Sequence, residues 1–304
     1  MKYAVIPGTE MQASRICLGT MTFGSPVSAP DAVQLIRYAY EEKGINFVDT
    51  ANMYEGYARY AGSAGGVAEE IVGQAIRGMR DKYIVATKVG MKVGNEPVDE
   101  NTSPEAIRVQ LRRSLKRLDT DYVDIYYLHR YDPDTEPEAI ARAIDDELKS
   151  GTIRAWGVSN YTAPQLERLL AAAKAQNVPP PALCQPAVSL VNQGPLADLI
   201  PLCAREGIGV IPCQVLQGGI LTGKYRRGGE VPAGSRLAEK PEWLKPFTEE
   251  VYQAIDACEA GAKARGVSMT QYALQWALEL PAVVSTLVGV KRTAQLDEAA
   301  GAAE

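Results

Sequence analysis

The sequence has 304 residues and is almost without histidine: it carries one, His129. Its five cysteines, Cys17, Cys184, Cys203, Cys213 and Cys258, are scattered and form no C-x-x-C pair. One imidazole and isolated thiols argue against a zinc centre, which draws its ligands from clustered Cys and His. An odd number of dispersed cysteines offers no disulfide framework, so reduced thiols in a cytoplasmic setting are expected. No apolar run reaches the roughly 18 residues of a membrane-spanning helix. The N-terminal MKYAVIPGTE lacks the apolar stretch of a secretion signal. Neither sign of charge dominates: 32 Lys and Arg stand against 37 Asp and Glu, a net charge of −5. Nucleic acid and membrane surfaces are therefore not expected partners. An anionic ligand would need a local cluster of cations or backbone N–H groups.

What is present is a regular alternation. Short apolar runs occur at 15–21, 45–50, 83–89, 122–129, 153–159, 182–188, 208–213 and 283–289. Helix-length segments separate them and carry helix punctuation. Pro30 opens a segment near 30–43 and Gly44 closes it. Ser103-Pro104 starts another, with Leu111, Leu115 and Leu118 at helical spacing. Thr162-x-x-Gln165 and Ser268-x-x-Gln271 read as capping boxes. Gly151, Gly207 and Gly266 sit where helices end. Eight strand-then-helix units in a chain of this length predict a (β/α)8 barrel, one domain over 1–304. A doubly wound sheet would show a glycine fingerprint after its first strand, where GTMTFG stands instead. Residues 225–247 form the longest irregular stretch, and 55–66 a second, Gly-rich loop.

Barrel enzymes place their chemistry at the C-terminal ends of the strands. The second strand ends at Asp49, with Tyr54 five residues on. The third ends at Lys88, the fourth at His129, the fifth at Ser159-Asn160, and the sixth runs through Gln185. A lone histidine is more often structural than catalytic. Four successive strands that bring an acid, a phenol, an amine and an imidazole to one face reverse that preference. An ammonium beside the Tyr54 oxygen is expected to lower its pKa from the reference of about 10. Asp49 would orient Lys88, and His129 would hydrogen-bond in the same region. The set suits proton donation to a carbonyl, worth on the order of 10²–10⁴ in rate.

These residues resemble the aldo-keto reductase superfamily. The segments FVDTANMY (47–54), ATKVG (86–90), YLHRYDP (127–133), IRAWGVSN (153–160) and ILTGKY (220–225) match its motifs in order. The resemblance implies a (β/α)8 barrel, NADPH in preference to NADH, and hydride transfer to an aldehyde or ketone. By position it implies a catalytic tetrad of Asp49, Tyr54, Lys88 and His129, with Tyr54 as general acid. It implies a carboxamide site at Ser159, Asn160 and Gln185, and a cofactor wall at Gly19, Thr20 and Met21. Leu216, Gly219, Leu221 and Lys224 would cover the pyrophosphate. Gly289, Lys291, Gln295 and Glu298 would meet the adenosine end. The expected partner is a small carbonyl or alcohol, with Arg130 and Tyr131 beside Tyr54 and His129 as substrate contacts.

Three departures stand out. Cys213-Gln214-Val215-Leu216 replaces the family's aromatic residue and Ser-Pro-Leu, so the ring that stacks on the nicotinamide is lost. Ala299 replaces an asparagine near the adenine. The loop after Tyr54 is longer than usual and contains Tyr57, Arg59 and Tyr60, a candidate wall of the substrate pocket. Lys224, Arg226, Arg227 and Arg236 form a basic cluster that suits phosphate or is a solvated face. Two other readings stay open: a nicotinamide-binding regulatory subunit, and a sugar-modifying enzyme using transient oxidation. A hydrolase reading finds Ser159 in GVSN and no G-x-S-x-G elbow. Gly218-x-x-x-x-Gly223-Lys224 is followed by Tyr225 rather than the Ser or Thr of a P-loop.

Overall fold

The computed structural model describes residues 1–244 and 246–304. Lys245, inside the expected long loop, lies outside the described residues. Two short strands, β1 (Tyr3–Val5) and β2 (Gln12–Ser14), pair antiparallel. Eight parallel strands follow: β3 (Ile16–Gly19), β4 (Phe47–Asp49), β5 (Ile84–Val89), β6 (Val123–Leu128), β7 (Ile153–Ser159), β8 (Leu183–Gln185), β9 (Gly209–Val210) and β10 (Thr286–Gly289). Each pairs with its sequence neighbour, and β10 pairs with β3. The sheet closes through Val210, which bridges to Val283 and exchanges backbone hydrogen bonds with Ala282 and Val284. The expected (β/α)8 barrel is therefore the fold, and its eight strands fall on the eight apolar runs.

Period-two alternation decides what the barrel encloses. Cys17, Phe47, Ile84, Ala86, Ile125, Tyr127, Ala155, Leu183 and Ile211 form one buried cluster inside it. Their neighbours Leu18, Val48, Val85, Val89, Tyr126, Trp156 and Cys184 turn outward to the helices. Two residues beyond the last inward apolar side chain of five strands comes the top layer of the barrel. Phe47 is thus followed by Asp49, Ala86 by Lys88, Tyr127 by His129, Leu183 by Gln185 and Ile211 by Cys213. Gly157 gives the Tyr127 ring its place, since a Cβ there would sit 2.5 Å from Tyr127 Cε1.

The outer layer comprises α1 (Ala29–Glu41), α2 (Val67–Ile76), α3 (Pro104–Leu118), α4 (Pro137–Ser150), α5 (Ala163–Ala175) and α6 (Leu199–Glu206). It continues with α7 (Arg236–Glu239), α8 (Glu249–Arg265), α9 (Met269–Leu278) and α10 (Thr293–Ala300). Helix α3 illustrates why they form. Ser103 Oγ accepts from the Ala106 N–H, Pro104 fits the first turn, and Ile107, Leu111, Leu115 and Leu118 bury one face. Such a cap contributes about 1 kcal/mol, and each buried aliphatic about 1.5–3 kcal/mol. Both expected capping boxes are present, at Thr162 and Ser268. Gly151, Gly207 and Gly266 close α4, α6 and α8 in the left-handed conformation.

Two features differ from the sequence reading. The N-terminal hairpin plugs the lower end of the barrel, with Ile6 and Ala13 fully buried against Phe47 and Leu183. The stretch 225–247 is not wholly irregular: it carries the single turn of α7 and a 3₁₀ turn at Pro241–Trp243.

Candidate active site

The top layer of the barrel brings the four predicted catalytic residues together. Asp49 and Lys88 are buried, at 1% and 0% exposure. The Lys88 ammonium donates to Asp49 Oδ1, to the Thr50 carbonyl at 2.8 Å, and towards the Tyr54 hydroxyl at 3.5 Å. Three donors thus meet three acceptors. A buried ion pair holds only when its remaining hydrogen-bonding capacity is met in this way. The Tyr54 and His129 rings stand edge to face, with centroids 5.9 Å apart.

Burial and charge set the protonation states. Burial pushes the Tyr54 phenol up, Lys88 pulls it down, Asp49 opposes that pull, and the balance is a pKa raised to about 12. The expected lowering by lysine exists but is outweighed, because the phenolate loses more hydration than one ammonium restores. Burial lowers the Lys88 pKa, but attraction to Asp49 and Tyr54 overcomes it and raises the value to about 12. Burial, then Lys88, Arg130 and Arg59, push His129 well below the usual imidazole value. Near neutral pH the site therefore holds a protonated phenol, an ammonium and a neutral imidazole.

Side chains on the next strands tie into this set. Asn160, at φ 57°, donates to the His129 carbonyl at 2.8 Å and to Ser159 Oγ at 3.2 Å. Ser159 Oγ donates to the Gln185 carbonyl at 3.0 Å. The Gln185 amide donates to Asp49 Oδ2 at 2.8 Å. Cys213 joins the layer, with its thiol raised to about 12 by burial, against the pull of Lys88. Gln214 beside it is exposed, at φ 55°, while Val215 is buried.

The residues expected to hold a cofactor divide. Gly19 and Gly289 lie side by side at the ends of β3 and β10, and space is open where a Gly289 side chain would be. Thr20 is buried, with both its N–H and its hydroxyl bonded to the Asp49 carbonyl, and Met21 follows at the rim. Lys224 makes no ion pair among the described residues. Its amine folds over Gly219, where a Cβ would sit 2.3 Å from it. Burial, then Lys291, Arg236 and Arg292, lowers its pKa. A half-buried cation among three others fits an anionic group such as a pyrophosphate. Leu216 borders this loop, whereas the Leu221 side chain is fully buried beneath it.

Other expected contacts point elsewhere. Arg226 and Arg227 are bidentate to Glu259 and Glu249 of α8. They neutralise that helix rather than join the cluster. Lys291 pairs with Glu239 at 2.6 Å, and Gln295 accepts from the Lys291 N–H at the start of α10. Glu298 accepts from the Ser268 hydroxyl, at the cap of α9. Ala299 is buried in the core.

Of the substrate residues, Arg130 donates to the carbonyl and the carboxylate of Glu100, and the Tyr131 hydroxyl accepts from Arg168 at 2.9 Å. Both line a cavity of about 650 Å³ with Glu100, Ser103 and Thr135, bordered by none of the catalytic four. The loop after Tyr54 is not simply a pocket wall. Arg59 donates to the carbonyls of Met53 and Lys92, Tyr60 is exposed, and Tyr57 packs on Trp243 of the long loop. That loop-to-loop contact, and the bond from Gln185 to Asp49, have no short-range signature in the sequence. The N-terminal hairpin has one, in the Pro7-Gly8-Thr9 turn between two short apolar runs.

Comparison with known proteins places the chain. A family model described as Aldo/keto reductase family matches residues 15–304. A probable voltage-gated potassium channel subunit beta from Oryza sativa subsp. japonica is 32% identical, over 98% of this chain and 90% of that protein. The L-glyceraldehyde 3-phosphate reductase of Escherichia coli strain K12 is 30% identical, over 98% of this chain and 86% of its own length. The glycerol dehydrogenase of Gluconobacter oxydans superposes with a TM-score of 0.80 at 29% identity, covering 98% of this chain and 89% of that one.

Proposed function

The chain belongs to the aldo/keto reductase family, and on that premise we propose that it reduces an aldehyde or ketone with NADPH, Tyr54 acting as general acid. One observation carries the reading: the Lys88 ammonium sits between Asp49 and the Tyr54 hydroxyl, with a neutral His129 beside them. The cofactor, when bound, supplies the hydride. The rest falls to the protein.

Tyr54 stays protonated at neutral pH and so carries the proton that a carbonyl oxygen takes up on reduction. Lys88, 3.5 Å from that hydroxyl, stabilises the phenolate left behind. His129, uncharged, can donate one hydrogen bond to the same carbonyl oxygen without competing as an acid. Ser159, Asn160 and Gln185 would hold a nicotinamide carboxamide. Gly19, Thr20, Met21 and Gly289 would form the wall, Lys224 and Gly219 would meet the pyrophosphate, and Lys291 the 2′-phosphate.

The test follows NADPH absorbance with a panel of aldehydes and ketones, with Tyr54→Phe as control. Turnover lost in the variant supports the assignment, and equal turnover in both proteins overturns it. The likeness to a potassium channel subunit beta favours a second reading, a nicotinamide-binding regulatory subunit. Tight NADPH binding without turnover on any carbonyl would select it.

A further inference from the structure

We infer that Gln185 is a positioning residue for the proton-donating set, acting through Asp49, in addition to the carboxamide contact proposed for it. The inference rests on the functional reading above and is carried by one buried contact. Gln185 Nε2 lies 2.8 Å from Asp49 Oδ2, and the two residues are 3% and 1% exposed.

The chemistry of the contact fixes its direction. A carboxylate offers only acceptors, so the amide must present its NH₂ to Asp49 and leave Oε1 facing elsewhere. The other carboxylate oxygen of Asp49 accepts from Lys88. A carboxylate held at both oxygens cannot swing about its terminal bond. Lys88 in turn divides its three protons among Asp49, the Thr50 carbonyl and the Tyr54 hydroxyl. The direction of the proton aimed at Tyr54 therefore depends on where Asp49 holds the ammonium. Gln185 is itself placed by β8 and by Ser159, whose hydroxyl donates to the Gln185 carbonyl. A continuous chain of hydrogen bonds thus runs from Ser159 and Gln185 through Asp49 and Lys88 to Tyr54. A cofactor carboxamide would be met by the free Oε1, as an acceptor for its N–H. Gln185 would then report cofactor seating to the acid across the barrel.

The two roles separate experimentally. Gln185→Leu removes both contacts. The turnover of wild type and variant is compared with NADPH and with the 3-acetylpyridine analogue of NADPH, which has no carboxamide N–H to offer Oε1. A positioning role predicts a kcat about tenfold lower for the variant with both cofactors, of the size expected for one buried hydrogen bond to a charged group. If the loss appears with NADPH and vanishes with the analogue, Gln185 only holds the carboxamide and the inference fails.

A second comparison uses Asp49→Asn. With the analogue as cofactor, adding Gln185→Leu to Asp49→Asn should cost no further kcat, and additive losses would overturn the link. A third readout needs no cofactor. The chain has one histidine, so its imidazole NMR signal is unambiguous, and it lies against the Tyr54 ring. Gln185→Leu should shift that signal in the cofactor-free protein, and an unchanged signal would count against the chain of contacts. Absence of turnover in the wild type would defeat the proposed function, and the NMR comparison would still decide the positioning role.

Discussion

Tyr57 and Trp243 meet edge to face, with ring centroids 5.3 Å apart, and join the loop after β4 to the loop after β9. In the barrel order, β10 and β3 lie between those two strands, so the contact spans the ends that carry Gly19 and Gly289. Arg236, Lys240 and Lys291 crowd the same two rings, the Arg236 guanidinium 5.4 Å from Trp243 and the Lys291 amine 5.1 Å from Tyr57. The two loops form a clasp over the place expected for the cofactor. An aromatic pair of this kind contributes about 0.5–1.5 kcal/mol beyond burial. Trp243→Ala should therefore speed NADPH release by roughly two- to twelvefold. Stopped-flow fluorescence of the nucleotide reads the rate, and an unchanged rate would separate the clasp from cofactor retention.

The acid itself gives the largest expected effect. Tyr54→Phe should lower kcat by about 10²–10⁴ while leaving NADPH affinity within a factor of a few, because the role proposed for the hydroxyl is toward the carbonyl substrate. Steady-state rates and a nucleotide titration on the same preparation separate the two.

The protonation states carry a dependence on pH. Tyr54 and Tyr83 have pKa values raised to about 12, burial leading in both, against about 10 in the unfolded chain. A value raised on folding means that the stabilisation is complete below pH 10 and is lost as pH rises towards 12. The protein should lose stability steeply across that window, as thermal melts in alkaline buffers would record. His129 has the opposite sign: its value is lowered well below 6.5, so it contributes above that pH and the contribution falls away in acid. Its imidazole NMR signal should stay put between pH 8 and pH 6, and a titration centred near 6.5 would contradict the neutral assignment.

The basic cluster divides by pairing. Lys224 is half-buried and unpaired among the described residues, whereas Lys291 already has Glu239. Lys224→Ala should weaken NADPH and NADH binding alike, as loss of a pyrophosphate contact would. Lys291→Ala should weaken NADPH alone, because only NADPH carries the 2′-phosphate. Calorimetric titration with both nucleotides distinguishes the patterns, and equal loss of both on Lys291→Ala would move the 2′-phosphate elsewhere.

At the other end of the barrel, Tyr122 lies between two guanidinium groups, those of Arg80 and Arg154, each 4.0 Å from its ring centroid. Both arginines also pair with the buried Asp124 carboxylate, Arg80 at 2.7 Å and Arg154 at 3.3 Å. Removing one partner from a buried pair strands the other charge and costs about 3–5 kcal/mol. Arg80 keeps some solvent contact and Arg154 remains in place, so Arg80→Ala should destabilise by about 2–4 kcal/mol. Activity per folded molecule should not change. Denaturant unfolding and specific activity together check both halves.

Much of the site was legible because it follows from local rules. A strand fixes alternate side chains to one face, so Asp49, Lys88 and His129 are placed by where their strands end. Helix ends were legible for the same reason, through capping residues at fixed offsets such as Ser103, Thr162 and Gly151. What escaped depends on contacts between distant segments. Arg226 and Arg227 read as part of an anion site until α8 supplies Glu259 and Glu249. The ring that Tyr57 packs on, Trp243, arrives from the far loop. The bond from Gln185 to Asp49 needs the curvature of a closed barrel to bring β8 across to β4. The Tyr54 pKa turned on a balance: a nearby lysine is visible in sequence, but the dehydration that outweighs it is not.

The hairpin at the foot of the barrel has a consequence for proton supply. Ile6 and Ala13 stopper the lower end, and Phe47, Tyr127 and Leu183 fill the bore above them. Lys88 and Asp49, at 0% and 1% exposure, are cut off from water on that side. On the side away from the hairpin, Tyr54 and His129 flank the pair. If Tyr54 is the acid proposed above, its phenolate would be reprotonated from the side away from the hairpin. A ligand bound on that side would then slow the return of the proton.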